Sequence, residues 1–299
     1  MKMEYRKVQV TGKSTYVVSL PKKWVKKNEL DKSSVVILEE LENGIFLRVP
    51  HAKEKKIEIN VKNLRVEEAS RLLIAKYIQG FNVVKFKSPK FIEPEIKSAL
   101  KKTSHLLIGM ETFGETSNEI IFRMLMRECE DVSKAIERMH NMSFSSLRNV
   151  IMYIKDKPRS NNILRDVISM DNEIDKFYFF ILRHLSTIQV KEAIVFVIVA
   201  KSIERLSDHV ERIARILLEN NKTNYFEIYE ELITLYGKIN LTLKSRSQKI
   251  ANEIIEEVKK FEEEYEKLSK KEENVLVHES FKRIADYISD IAECVINLS

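Results

Sequence analysis

At 299 residues, 44% hydrophobic and 32% charged, the chain is long for one compact domain and too apolar for disorder, so two or three folded units are expected. Two cysteines, Cys129 and Cys294, are too few for a disulfide framework, and neither lies in a CxxC spacing. The net charge of +6 is localised: residues 1–30 hold eight Lys/Arg against two acids, and the other 269 residues hold 43 of each. The start, MKMEYRKVQV, has no apolar core of a signal peptide, and the most apolar run, Ala193 to Ala200, is too short for a bilayer. A cytoplasmic protein with no membrane insertion is expected by elimination.

In chain order, residues 5–50 read as strand, strand, short helix, strand, strand. Val8 and Val10 alternate with polar residues, Gly12 supplies a turn, and Tyr16 to Leu20 is β-branched and aromatic. Pro21 starts a short helix. Val35 to Leu38 and Ile45 to Val49 flank Glu42-Asn43-Gly44, a hairpin signal because Asn-Gly accepts positive φ. A module this small buries little core alone, so dimerisation through it is expected.

Residues 51–122 read as a small α/β unit. Ile57, Ile59 and Val61 alternate as a strand, Leu64 to Gln79 is helical with Gly80 as its stop, Phe81 to Phe86 is a strand and Pro94 to Ser104 a helix. Leu106 to Met110 and Glu119 to Phe122 read as strands. No catalytic motif stands in this unit.

From residue 123 onward only Pro158 and Gly237 interrupt the chain, and the helical period dominates. Leu125, Cys129, Val132, Ile136 and Met139 begin one stripe, which Leu147, Val150 and Ile154 resume. Pro158-Arg159-Ser160-Asn161 ends that helix and caps the next. Ile163, Val167, Met170, Ile174, Phe177 and Ile181 form a second stripe; Ile203, Leu206, Val210, Ile213 and Leu217 form a third. After a linker at Asn220-Asn221-Lys222-Thr223 come helices at roughly 225–246, 248–270 and 274–298. Two groups of three helices, 123–220 and 224–299, suggest an internal repeat.

Residues four apart share a helix face, so Asp171/Asp175 and Glu204/Asp208 each point two carboxylates one way. A helical hairpin turning at residue 188 would leave the two pairs about 4–5 Å out of level at a 1.5 Å rise. Four converging carboxylates repel and raise one another's pKa. A multivalent cation removes that cost; so would Arg205 or Arg212 as internal partners, and a solvated acidic face remains the plainer alternative.

The run Glu204-Arg205-Leu206-Ser207-Asp208-His209-Val210-Glu211-Arg212-Ile213-Ala214 resembles the E-R-x-x-D-H-x-x-x-I-A signature of the PhoU family of phosphate-uptake regulators, and Asp171-x-x-x-Asp175 resembles its companion motif. The resemblance implies a pair of three-helix bundles over 123–299 and a metal site at Asp171, Asp175, Glu204 and Asp208 for iron, zinc or manganese. The second bundle departs from the pattern: Lys282-Arg283-Ile284-Ala285-Asp286 puts Lys282 where the glutamate belongs. Its companion is either Glu253/Glu257 or Glu262/Glu266.

At the front, Arg6-Lys7-Val8 with Gly12-Lys13, then Val17-Val18-Ser19-Leu20-Pro21-Lys22-Lys23-Trp24 and Lys26-Lys27, is similar to the SpoVT/AbrB swapped-hairpin DNA-binding domains. That resemblance implies a β dimer over residues 1–50 and phosphate contact by Arg6, Lys7, Lys13, Lys22, Lys23, Lys26 and Lys27. Lysine lacks the bidentate fork that reads guanine, so backbone contact is expected before sequence readout. Together the two resemble archaeal regulators that join such a front to a PhoU domain. Gly12-Lys13-Ser14-Thr15 imitates the end of a phosphate-binding loop, but Lys7 stands where its first glycine belongs.

The fold expected is mostly α: a swapped-hairpin β module, a small α/β unit and a helical pair of bundles. The function expected is a DNA-binding transcriptional regulator of phosphate homeostasis. The alternative is an adaptor that docks on a phosphate transporter or a sensor kinase, with the front module serving only to dimerise. A di-metal carboxylate enzyme is disfavoured, because such sites need two Glu-x-x-His motifs and only Glu137-Arg138-Met139-His140 is present.

Overall fold

The computed structural model describes residues 4–12, 14–41, 44–50, 54–126, 131–156, 160–187, 192–219, 223–268 and 274–298. Lys13, the Glu42-Asn43 turn, Cys129, Pro158-Arg159 and Asn220 to Lys222 lie outside them. The chain divides into two compact units, residues 1–55 and 56–299.

In the first unit, β1 (Gln9–Thr11) pairs antiparallel with β2 (Thr15–Val17). Gly12, at φ +71°, turns the chain between them. Pro21 precedes α1 (Lys22–Lys27) with extended backbone, as its fixed φ allows. Glu29 adopts a left-handed φ of 54° after the helix, and Leu30 N–H donates to Val25 O at 3.1 Å, closing the helix end. β3 (Ile37–Leu41) and β4 (Gly44–Arg48) form a second antiparallel hairpin. Two strands differ from the sequence reading. Tyr16 to Leu20 contributes only through Val17, and the third strand starts at Ile37 rather than Val35, which is 70% exposed. No described side chain of this unit is buried.

The second unit opens with a four-stranded sheet in the order β5-β6-β8-β7. β5 (Lys56–Asn60) and β6 (Val83–Lys87) are parallel, so the chain must cross between them, which it does through α2 (Val66–Ile78). α3 (Pro94–Ser104) separates β6 from β7 (Met110–Glu115), and β8 (Glu119–Met124) inserts antiparallel between those two strands. Alternation decides the faces. Val84, Phe86, Ile120 and Phe122 join Leu73, Tyr77 and Leu100 of the helices in one buried core. Their neighbours point the other way, where Lys85 pairs with Glu119 and Arg123 lies over the Phe113 ring.

The expected strand at Leu106 to Met110 is instead a turn leading into β7. Gly109 has φ +78°, and an added Cβ would lie 3.0 Å from Met124 and 3.1 Å from Met126. Both backbone and space therefore demand glycine there. The expected helical stripe also starts later. Met124 ends a strand, Leu125 is 59% exposed, and α4 begins at Val132 behind the Asp131 cap, whose carboxylate accepts from Ser133 N at 2.9 Å.

Six helices complete the unit: α4 (Val132–Lys155), α5 (Asn162–Thr187), α6 (Ala193–Glu219), α7 (Tyr229–Ser245), α8 (Gln248–Leu268) and α9 (Val275–Ile296). α4, α5 and α6 pack together, as do α7, α8 and α9; α6 meets α9 and α4 meets α7, so one apolar core runs through both trios. The stripe Ile203, Leu206, Val210, Ile213 and Leu217 is wholly buried, each such side chain contributing about 1.5–3 kcal/mol. At the α4–α7 crossing, a Cβ on Gly237 would stand 3.3 Å from the Phe144 ring, so the missing side chain allows the helices their approach.

The sheet is fastened to the helices by α5. Arg183 is buried, and no carboxylate among the described residues pairs with it; its Nη1 donates to Tyr77 O (2.6 Å) and Phe81 O (3.0 Å), and the guanidinium lies 4.9 Å from the Tyr77 ring. Ser186 Oγ donates to Ile78 O. These donors add to the capping at and just beyond the C-terminus of α2, where Tyr77 O also accepts from Gly80 N–H at 2.9 Å.

Candidate metal centre and nucleic-acid interface

α5 ends at Thr187 and α6 begins at Ala193, so the two helices are symmetric about position 190. On that basis the acidic pairs are one residue out of level, or about 1.5 Å, not the three residues implied by a turn at 188. Asp175 comes opposite Glu204 and Asp171 opposite Asp208.

The electrostatics agree with that placement. Burial, then Asp175 and Asp208, raises Asp171 to about 7. Burial and then Glu204 raise Asp175 to about 6. Burial and Glu204 also raise Asp208 to about 6, against the opposing pull of Arg205 and Lys201. Glu211 acts on all three. It extends Glu204 and Asp208 as the i+7 position of one helix face, a spacing present in the sequence that i,i+4 pairs alone do not reveal. Neighbouring cations serve the α6 acids better than the α5 acids. Lys201 Nζ donates to both Glu204 oxygens at 2.6 and 2.7 Å, Arg205 stands 3.8 Å from Glu204 and from Asp208, and Arg215 pairs with Glu211.

As these side chains stand, no three His, Cys, Asp or Glu groups among the described residues come close enough to hold one ion. The donor set nevertheless fits a hard cation: half-buried, all-oxygen, on adjacent turns of two rigid helices, and under-compensated in charge. It fits manganese or ferric iron better than zinc, which prefers nitrogen and sulfur ligands. His209, beside the acids in sequence, turns away: its ring lies 5.9 Å from Tyr287 on α9, and burial holds its pKa below the usual histidine range.

The second trio resolves the companion left open by the sequence. Glu262 of α8 lies beside Asp286 of α9, burial and that neighbour pushing its pKa up, and Glu266 faces Lys282, whose Nζ stands 3.4 Å away. Glu257 instead pairs with Lys238 of α7 at 2.6 Å, and Glu253 lies 3.9 Å from Lys249. Glu262/Glu266 is therefore the counterpart of Asp171/Asp175. The isolated Glu-x-x-His motif does not converge on anything: Glu137 pairs with Lys244 at 2.5 Å, and His140 Nε2 donates to Tyr236 O at 2.9 Å inside the α4–α7 contact.

In the front unit, Lys22, Lys23, Lys26 and Lys27 are all exposed on α1, while Trp24 and Val25 are partly covered. Spacings of four place Lys22 with Lys26 and Lys23 with Lys27. Arg6 and Lys7 are exposed as well, Arg6 lying 2.5 Å from Glu4.

Residues 136–217 match the PhoU domain family, and residues 9–56 match the family described as antidote-toxin recognition MazE, bacterial antitoxin. No curated protein matches the chain. Among solved structures, it is similar to the phosphate transport system regulatory protein PhoU from Streptococcus pneumoniae, at 17% identity over 56% of this chain and 92% of that one, with a TM-score of 0.45. It is also similar to PhoU from Pseudomonas aeruginosa, at 18% identity over 56% and 95%, with a TM-score of 0.46. No helix among the described residues is long and apolar enough to cross a membrane.

Proposed function

We propose, from the premise that this chain joins a MazE/AbrB-like module to a PhoU domain, that it is a DNA-binding transcriptional regulator of phosphate uptake. The observation that carries the reading is the confinement of all six net positive charges to residues 1–30, with four lysines exposed on one short helix of the front module. Such a patch releases counterions on meeting a polyanion, giving affinity without sequence readout. The front unit pairs with a second copy, because its exposed Val8, Val10, Tyr16, Leu38 and Ile45 have no core of their own to enter. Two copies place two lysine helices on one duplex.

The helical unit is the sensor in this reading. Asp171, Asp175, Glu204 and Asp208 would hold a divalent or trivalent ion of iron or manganese, with zinc less suited to the donors. The bound ion supplies the positive charge that these carboxylates lack. Without it, the α5 acids take up protons near neutrality. Because the far end of α5 holds α2 through Arg183, the acidic face and the sheet share one rigid helix. The deciding experiment sequences the genomic fragments that the purified chain retains at physiological salt. Enrichment upstream of phosphate-transport genes is expected, and retention of no fragments refutes the reading.

One observation favours an adaptor as the second reading. Ile194, Ile198, Val275 and Leu276 are exposed apolar side chains on the helical unit, suited to docking on a transporter or signalling protein. A co-purifying membrane partner without any DNA retention would select it.

A further inference from the structure

The two helix trios carry the same arrangement of acids with one exchange. On the first, the α5 pair Asp171/Asp175 faces the α6 pair Glu204/Asp208, and no Lys or Arg among the described residues forms an ion pair with Asp171 or Asp175. On the second, Glu262 meets Asp286 and Glu266 meets Lys282 across α8 and α9. The correspondence is position for position: Glu262 with Asp171, Glu266 with Asp175, Lys282 with Glu204, Asp286 with Asp208. Arg283 adds a second cation, 3.1 Å from Asp286, where Arg205 on the first trio stays 3.8 Å from Asp208.

We infer that Lys282 is a tethered cation that takes, on the second trio, the place a metal ion takes on the first, so that the chain holds metal on one face only. This rests on the metal reading of the first trio given above. An ammonium has three donors and no lone pair, so it cannot ligate a cation. It stands at one corner of the acid set and would repel an ion brought to Glu266. With Lys282 and Arg283 against Glu262, Glu266 and Asp286, the second face carries two positive and three negative groups held by the fold itself. Its helices α8 and α9 are bridged without any external ion. The first face exposes Asp171 and Asp175 to whatever cation is present. The two trios thereby divide into one half with a cation built into its acid set and one half whose α5 acids have no such built-in partner.

The test uses Mn2+ alone with the full chain, measured by equilibrium dialysis and by the electron paramagnetic resonance signal of the bound ion. Wild type is expected to bind one set of ions, lost in D171N/D175N. K282E is expected to double the bound Mn2+, and the added set should persist in K282E/D171N/D175N. The reciprocal E204K is expected to weaken Mn2+ on the first face on the order of 100-fold. Wild-type binding that survives D171N/D175N and disappears in E262Q/E266Q overturns the inference, since metal would then sit beside Lys282. A helical, folded K282E with no added Mn2+ overturns it as well. Should K282E unfold, K282Q decides: it removes the ammonium and leaves an amide oxygen, so a gained second set supports the inference and no gain overturns it. If wild type binds no Mn2+ while K282E/D171N/D175N does, the metal reading of the first trio fails and the role of Lys282 stands.

Discussion

Val10 is 61% exposed on a two-stranded hairpin, whereas Val84, on the four-stranded sheet, is fully buried. The contrast holds across the two units: none of the described residues in 4–55 is buried, and 56–299 contains two continuous apolar cores. Both regions have β-rich alternating sequence at their start, so composition does not separate them. What separates them is length. About fifty residues with two hairpins and a six-residue helix cannot enclose their own apolar side chains, whereas a sheet backed by two helices and fastened to six more can. In the proposed reading the front unit draws its stability from a second copy, whereas that of the rest is internal.

The largest expected effect sharpens this comparison from the buried side. Leu206→Ala leaves a cavity where α6 meets the fully buried core and is expected to destabilise the helical unit by about 2–5 kcal/mol, measured by urea denaturation at any protein concentration. On the front unit, dilution should do what mutation does on the other: its unfolding midpoint should fall with protein concentration while that of the helices stays fixed. A concentration-independent front unit would break the comparison.

Next in size is the charge of the front. Replacing Lys22, Lys23, Lys26 and Lys27 by alanine removes four exposed cations and is expected to reduce the salt slope of DNA binding by about 3–4, at roughly 0.9 per phosphate contact. Fluorescence anisotropy across a salt series measures it. A slope unchanged in the quadruple variant would remove α1 from the interface.

A smaller effect tests the fastening within the second unit. Arg183→Ala removes the charged donor shared by the carbonyls of Tyr77 and Phe81 and is expected to cost about 1.5–3 kcal/mol, with faster amide exchange at the end of α2. Exchange that stays unchanged would mean that the sheet is held by the apolar contact of Phe179 with its core and not by the guanidinium.

How much of this was legible before the structure depends on whether one element or two decided it. The helix from Pro94 to Ser104, the stop at Gly80 and the buried stripe from Ile203 to Leu217 follow from local spacing and breakers alone. Leu106 to Met110 misleads because Leu107 and Met110 are both buried and their spacing imitates other elements, while the decisive fact is the positive φ and tight surroundings of Gly109. Leu125 fits the helical period by coincidence, since β8 runs to Met124. For the site, the residue types and their i,i+4 spacing are readable. Their level across the hairpin is not, because a two-residue difference in the turn position shifts one helix against the other by four residues. Nor could spacing choose Glu262/Glu266 over Glu253/Glu257; only the partners on α7 and α9 distinguish them.

The smallest expected effect bears on how the acidic face of the first trio differs from the cation-paired carboxylates of the unit. At paired surface carboxylates such as Glu115 beside Lys101 and Glu230 beside Lys155, the cation holds the pKa below its usual range. At Asp171, Asp175 and Asp208 the direction reverses, to about 7, 6 and 6. A carboxyl whose folded pKa lies above its unfolded value binds more protons when folded, so stability falls as pH rises. The window runs from the ordinary aspartate range near 4 up to the folded values, and the loss is complete above about 7. Wild type without added cation is therefore expected to melt a few degrees lower at pH 8 than at pH 5, and D171N/D175N should flatten that profile. Added Mn2+ should flatten it too, by replacing the protons with an ion of fixed charge. A wild-type profile that rises from pH 5 to pH 8 would mean that Lys201 and Arg205 already neutralise the face, and that the two trios differ less than their side chains suggest.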